Sequence, residues 1–159
     1  MPIFETEMST LSNPLWGLPD PDLQPEFYAD VPVKRLVAWV FDMVLILAAT
    51  FLLALFSLGI FFFIFPFLAM VVGFFYRWIT ISRRSATPGM RLVSIELRSG
   101  NGQTLDSGGA FLHTLVYTIA TTTIVLQLAS IVLMLTGSRA QGLHDHLLGT
   151  AMINRASDR

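Results

Sequence analysis

The sequence predicts an all-α integral membrane protein, a transmembrane helical hairpin plus a third apolar segment with a small β-hairpin element, and three observations lead there. Of 159 residues, 53% are hydrophobic and 13% charged, where an average soluble domain has roughly a quarter charged. From Leu36 to Phe75 the sole ionisable side chain is Asp42, in a run that cannot lie in water as a surface helix. A further apolar stretch, residues 110–136, follows a polar loop whose apolar positions alternate as in a strand. The chain has no cysteine, which excludes disulfides, thiolate metal sites and a cysteine nucleophile. The net charge of -1 hides an asymmetry, because the acids crowd the first thirty positions while the bases begin at Lys34.

Residues 1–32 are acidic and carry prolines at 2, 14, 19, 21, 25 and 32, a composition that predicts a disordered tail. No stretch in it is long and apolar enough for a signal peptide. Its apolar patch, Leu15, Trp16 and Leu18, reads as an interfacial anchor or a docking patch. The membrane domain is then 33–155.

At a rise of about 1.5 Å per residue, a hydrocarbon core of about 30 Å takes roughly 20 residues to cross. Lys34 to Ile81 therefore holds two spans, about 36–57 and 60–81, reversing at Ser57, Leu58 and Gly59, where the backbone is small and permissive. Lys34 and Arg35 flank the first span, and Arg77, Arg83, Arg84, Arg91 and Arg98 stand at or after the end of the second, with no charge in the turn between. The positive-inside bias predicts a cytoplasmic N-terminus and a cytoplasmic loop.

Within that loop Thr87, Pro88 and Gly89 read as a type II turn, a fixed corner. Val93, Ile95 and Leu97 alternate with polar residues, and the sequence SGNG at 99–102 signals a hairpin before Gln103 to Leu105. Residues 149–154, GTAMIN, read as a short strand that joins this cytoplasmic β-element. The segment 110–136 is long enough for one span, yet one crossing would put Arg139 and Arg155 outside. The run Thr121, Thr122, Thr123 has weak helix propensity at its middle, which favours two half-length helices that dip in and return over a third full span.

Few residues can carry chemistry. Arg35 and Asp42 are seven apart, nearly on one helix face and about 10 Å apart in rise. An aspartate left bare at depth costs about 2.5–3.5 kcal/mol, so Asp42 needs a partner. In an antiparallel hairpin, positions summing to about 117 lie level, which places Asp42 beside Phe75 and within a turn of Arg77, the predicted counter-ion. The pair reads as a structural lock on helix register or as a proton or cation site, the lock carrying more weight because no second carboxylate stands beside it. A returning third segment would bring Asp145 to the same surface, so that Arg35, Asp42, Arg77 and Asp145 form one polar cluster. His144 and His146 flank Asp145, but too few ligands accompany them for a metal centre, and Asp145 reads as an acceptor of backbone donors or of an arginine. His144, Pro88 and Gly89 are secondary candidates. His113, Thr114, Tyr117, Thr118, Gln127 and Ser130 make the third segment more polar than the hairpin, either lining a hydrophilic path or bonding back to helix backbone. No nucleophile motif, phosphate loop or catalytic carboxylate pair is present, so neither an enzyme nor a cofactor is expected.

Taken in order, Arg35 at the start of the first span, Asp42 within it, the turn TPGMRL, the strand-like IELRSGNG, and Asp145 in the closing GLHDHLLGT resemble the RDD family of bacterial membrane proteins, over roughly Tyr28 to Asn154. The chain departs from that pattern at Met90, where a basic residue is usual, and in its short first turn. The resemblance implies an RDD-like multi-pass protein of the bacterial inner membrane, with transport suggested for the family and cation/proton exchange attributed to some members. The expectation is a small transporter or transport accessory, partnered by the lipid bilayer and by copies of itself or other membrane proteins, with no nucleic acid. The alternative is a non-transporting scaffold in which the charged residues lock the fold.

Overall fold

The computed structural model describes residues 17–155; the expectations for Leu15, Trp16 and the tail before them lie outside the described residues. Helix α1 (Val31–Phe56) and helix α2 (Phe65–Arg84) form the hairpin, and both are long and apolar enough to cross a membrane. The reversal falls where the small residues stand: α1 is capped at Ser57, Leu58 and Gly59 take positive φ, and a 3₁₀ segment, Ile60–Ile64, leads into α2. On α1, beyond Val31 at its start, the buried residues are Ala38, Asp42, Ile46, Thr50 and Ala54, each four after the last, while Leu36, Phe51 and Leu55 are exposed. A helix that packs its small and polar residues and exposes its large apolar ones is built for lipid. The contact with α2 is close at Ile46, since a Cβ on Gly73 would stand 3.5 Å from the isoleucine side chain.

After α2 the expected type II turn is a helix start. Thr87 is the N-cap of a short helix, α3 (Pro88–Leu92): its hydroxyl accepts the Met90 amide at 3.2 Å, Pro88 opens the helix, and Gly89 is not at positive φ. Thr-Pro satisfies a helix N-terminus as well as a turn, because proline has no amide to leave unpaired at the first helical position. Strand β1 (Ile95–Ser99) follows. The hairpin expected within the loop shrinks to one bridge, Arg98 with Thr104, closed around Gly102 at φ 78°.

The third apolar segment is two helices, α4 (Ser107–Thr122) and α5 (Ile124–Thr136), bent by 112° at Thr123, whose backbone is extended. The hydroxyls of Thr121 and Thr122 bond to carbonyls one turn back, so the threonine run ends one helix rather than bridging two. At about 24 and 20 Å neither arm alone crosses a hydrocarbon core. Trp78 near the end of α2 donates to the Ser107 carbonyl at 3.1 Å, and Arg35 near the start of α1 meets Asp145 beyond α5. Both ends of the V therefore sit at the same end of the hairpin. Helix α6 (Leu143–Leu148) then turns through Gly149 into strand β2 (Thr150–Asn154), which pairs antiparallel with β1 from Ile95 opposite Asn154 to Ser99 opposite Thr150. Val31, Ile81, Met90, Ile95, Leu97 and Met152 form the core that ties this sheet to the helix ends.

Residues 17–30, expected as part of a tail ending at 32, form a strap across the sheet. Leu18 and Tyr28 bury against Ala151 and Ile153, Tyr28 donates to the Pro19 carbonyl at 2.8 Å, and Asn154 donates to the carbonyls of Glu26 and Ala29. Composition predicted disorder here because proline and acid outnumber apolar residues; two buried anchors and a set of backbone acceptors hold the strap instead.

Candidate functional site

Three polar centres lie where the helices meet the charged end. The first is built on Asp145, fully buried on α6. Its Oδ2 accepts Arg35 Nη1 at 2.7 Å and the Gly142 amide at 3.0 Å, while Oδ1 accepts His113 Nε2 and the Thr150 hydroxyl, each at 3.0 Å. Four donors from α1, α4, the start of α6 and β2 thus converge on one carboxylate. Burial alone would raise its pKa, but the Arg35 guanidinium, with the hydrogen bond from His113, outweighs that and holds the carboxyl well below its usual range. Beside it Arg35 Nη2 lies 3.1 Å from His144 Nε2, and since a guanidinium only donates, the imidazole accepts there and is neutral. Burial pushes its pKa down to about 3.

The second centre is Asp42. Oδ1 accepts the Tyr76 hydroxyl at 2.6 Å and the Gly89 amide at 2.8 Å, and Oδ2 accepts the Thr87 hydroxyl at 2.5 Å. A carboxylate on α1 thereby caps the N-terminus of α3, whose free amides and dipole favour negative charge. Gly89 is required by this approach: a Cβ there would overlap the Ala38 carbonyl oxygen and stand 2.8 Å from Asp42 Oδ1.

Arg77 makes the third centre, and here the expected ion pair with Asp42 is replaced. The predicted level holds, for Tyr76, one residue from Arg77, bonds Asp42, but successive helical residues point about 100° apart. Tyr76 faces α1, and Arg77 faces α4, where its guanidinium carbon lies 3.8 Å from the Tyr117 ring centroid. Tyr117 in turn meets His144 edge-on, as His144 meets His113. Arg77 is buried, and its Nε has no hydrogen-bond partner among the described residues. The four expected site residues are thus one ion pair, Arg35 with Asp145, and two separate groups. Pro88 and Gly89 belong to the Asp42 cap, and His144 to the Asp145 centre.

Below these centres, between the hairpin and the V, lies a cavity of about 370 Å³. Asp42, Arg77, Tyr117, Thr118 and Gln127 line it among the polar residues, and Ile46, Met70 and Phe74 belong to its larger apolar share. His113, His144 and Asp145 also bring three metal-ligating atoms within 4.8 Å of one another. Arg35 already bonds two of those three residues, and its cation opposes a metal ion in that place.

Tyr76 and Thr87, which both donate to Asp42, lie outside the predicted cluster. Thr87 had a sequence signal, a hydroxyl residue directly before proline; Tyr76 had none, since only the approach of α1 gives its hydroxyl a partner. A family model described as RDD family matches residues 30–149. No match to the chain is found among the curated proteins or the solved structures.

Proposed function

Because the chain belongs to the RDD family, we propose that it works in the bacterial inner membrane, N-terminus in the cytoplasm, as a small transporter or transport accessory whose solute enters the cavity beside Arg77. The observation that carries this reading is a buried cationic side chain, with one donor unpartnered among the described residues, lining a mostly apolar cavity between apolar helices. Intramembrane ionisable groups are costly, and one left partly unpaired at a cavity is most simply kept for a ligand. With Asp42 and Asp145 each saturated by donors from this chain, the free charge at the cavity is positive, which favours an anionic or strongly polar solute. Two spans and a V enclose little path alone, so assembly with further copies or another membrane protein completes it. The orientation rests on charge: by their contacts, the described charged residues other than Asp42 and Arg77 gather at one end, and the Ser57–Gly59 end has none.

A scaffold without transport is the second reading, favoured by those same saturated carboxylates. Reconstitution into vesicles separates the two. Solute-dependent flux that Arg77→Gln abolishes while the protein stays folded supports transport; no flux across a panel of anions, cations and polar solutes, with variants changing only abundance, supports the scaffold.

A further inference from the structure

At the charged end, away from the cavity, five arginines surround a second concavity of about 430 Å³. They arrive from four places in the chain: Arg83 and Arg84 from the last turn of α2, Arg91 from α3, Arg98 from β1, and Arg155 just after β2. The one acid lining it is Glu96, which is already engaged, bonded to Arg98 through Nε and Nη2 and lying 3.4 Å from Arg155 Nε. Arg83, Arg84 and Arg91 are exposed and have no carboxylate partner among the described residues. Two further donors are at hand: Thr104 lines the space, and Ser85, whose oxygen accepts the Leu105 amide at 2.7 Å, keeps its own proton to give.

The simplest uses of arginine account for part of this. Arg83 and Arg84 complement the C-terminal dipole of α2 and satisfy the positive-inside bias. Neither reason converges Arg91, Arg98 and Arg155, from three other elements, on the same space. Like charges facing one concavity repel, and a bound anion removes that repulsion; guanidinium forks match phosphate oxygens in pairs. We propose that this pocket binds a phosphate group, presented by an anionic lipid headgroup or by a free phosphate. Its place at the end of a membrane-crossing helix suits the first source and its open polar floor suits either. The site is independent of whether the cavity beside Arg77 passes a solute.

The full chain in nanodiscs tests this in two arms. In phosphatidylcholine discs inorganic phosphate is titrated by calorimetry; in discs containing phosphatidylglycerol, retained lipid is counted by native mass spectrometry. Saturable phosphate binding without lipid retention assigns a free anion, and phosphatidylglycerol retained and displaced by phosphate assigns a headgroup; both support the site. Arg84→Gln and Arg91→Gln, exposed changes that leave the core intact, are each expected to weaken binding by about tenfold, with Arg91→Lys restoring part of it. Absence of binding in both arms, or binding unchanged in the folded Arg84→Gln, Arg91→Gln double variant, overturns the proposal.

Discussion

Asp145 and Asp42 are both buried acids, yet they are neutralised in different ways, and the difference sets what mutation should do. Asp145 has a cation, Arg35, at 2.7 Å. Removing either partner leaves a buried charge unpaired and should cost about 3–5 kcal/mol, whereas Arg35→Met with Asp145→Leu should recover much of it. Asp42 has only neutral donors, so Asp42→Leu and Arg77→Leu should lower thermal stability independently, to within about 0.5 kcal/mol of additivity. Asp42→Leu with Tyr76→Phe should instead be non-additive, because the tyrosine hydroxyl donates to that carboxylate. The histidine beside Asp145 fixes a pH dependence. His144 is pushed from its ordinary 6.5 to about 3 in the fold, so in that window the unfolded chain binds a proton that the folded one refuses, and stability falls as pH falls. Asp145, held below its usual range, has the same sign: its contribution is complete above the ordinary carboxylate value and is lost on further acidification. Melting curves from neutral pH downward should show this loss, and His144→Gln should flatten the slope by up to about 1.36 kcal/mol per pH unit.

At the scale of elements, the short helix α3 depends on a backbone approach rather than on its own five residues. Gly89→Ala would push its first turn off Ala38 and Asp42 and should cost about 1–3 kcal/mol, read as a lower melting temperature. The strand β2 is held by β1, by the strap and by Gln141, which donates to the Thr150 carbonyl at 2.6 Å. Its apolar residues Ala151, Met152 and Ile153 are all buried, and Met152→Asp would place a charge in the core that joins sheet and helix ends. That variant should fail to accumulate, whereas Leu147→Asp, at an exposed position of α6, should accumulate as the parent does.

For the whole molecule, the returning V is the feature on which topology turns. In the cysteine-free chain, single cysteines at Ser138 and Leu58 should be labelled from opposite sides of the membrane, Ser138 from the side of Lys34; labelling of Ser138 from the side of Leu58 would mean that α4 and α5 cross. Sequence alone determined the hairpin, its reversal at Ser57–Gly59 and the break in the threonine run, because hydrocarbon solvation and local backbone preference act on consecutive residues. It also singled out Arg35, Asp42 and Asp145, which the fold places in buried polar centres, and the level at which Asp42 sits. Only the tertiary structure decided the partners. Whether Tyr76 or Arg77 faces Asp42 depends on the rotation of α2 about its axis, which packing against α1 and α4 sets and composition does not. Whether TPG makes a turn or a helix depends on a carboxylate 45 residues away accepting its donors. The strap at 17–30 is ordered by a sheet whose second strand lies at the other end of the chain, a contact that no local pattern records.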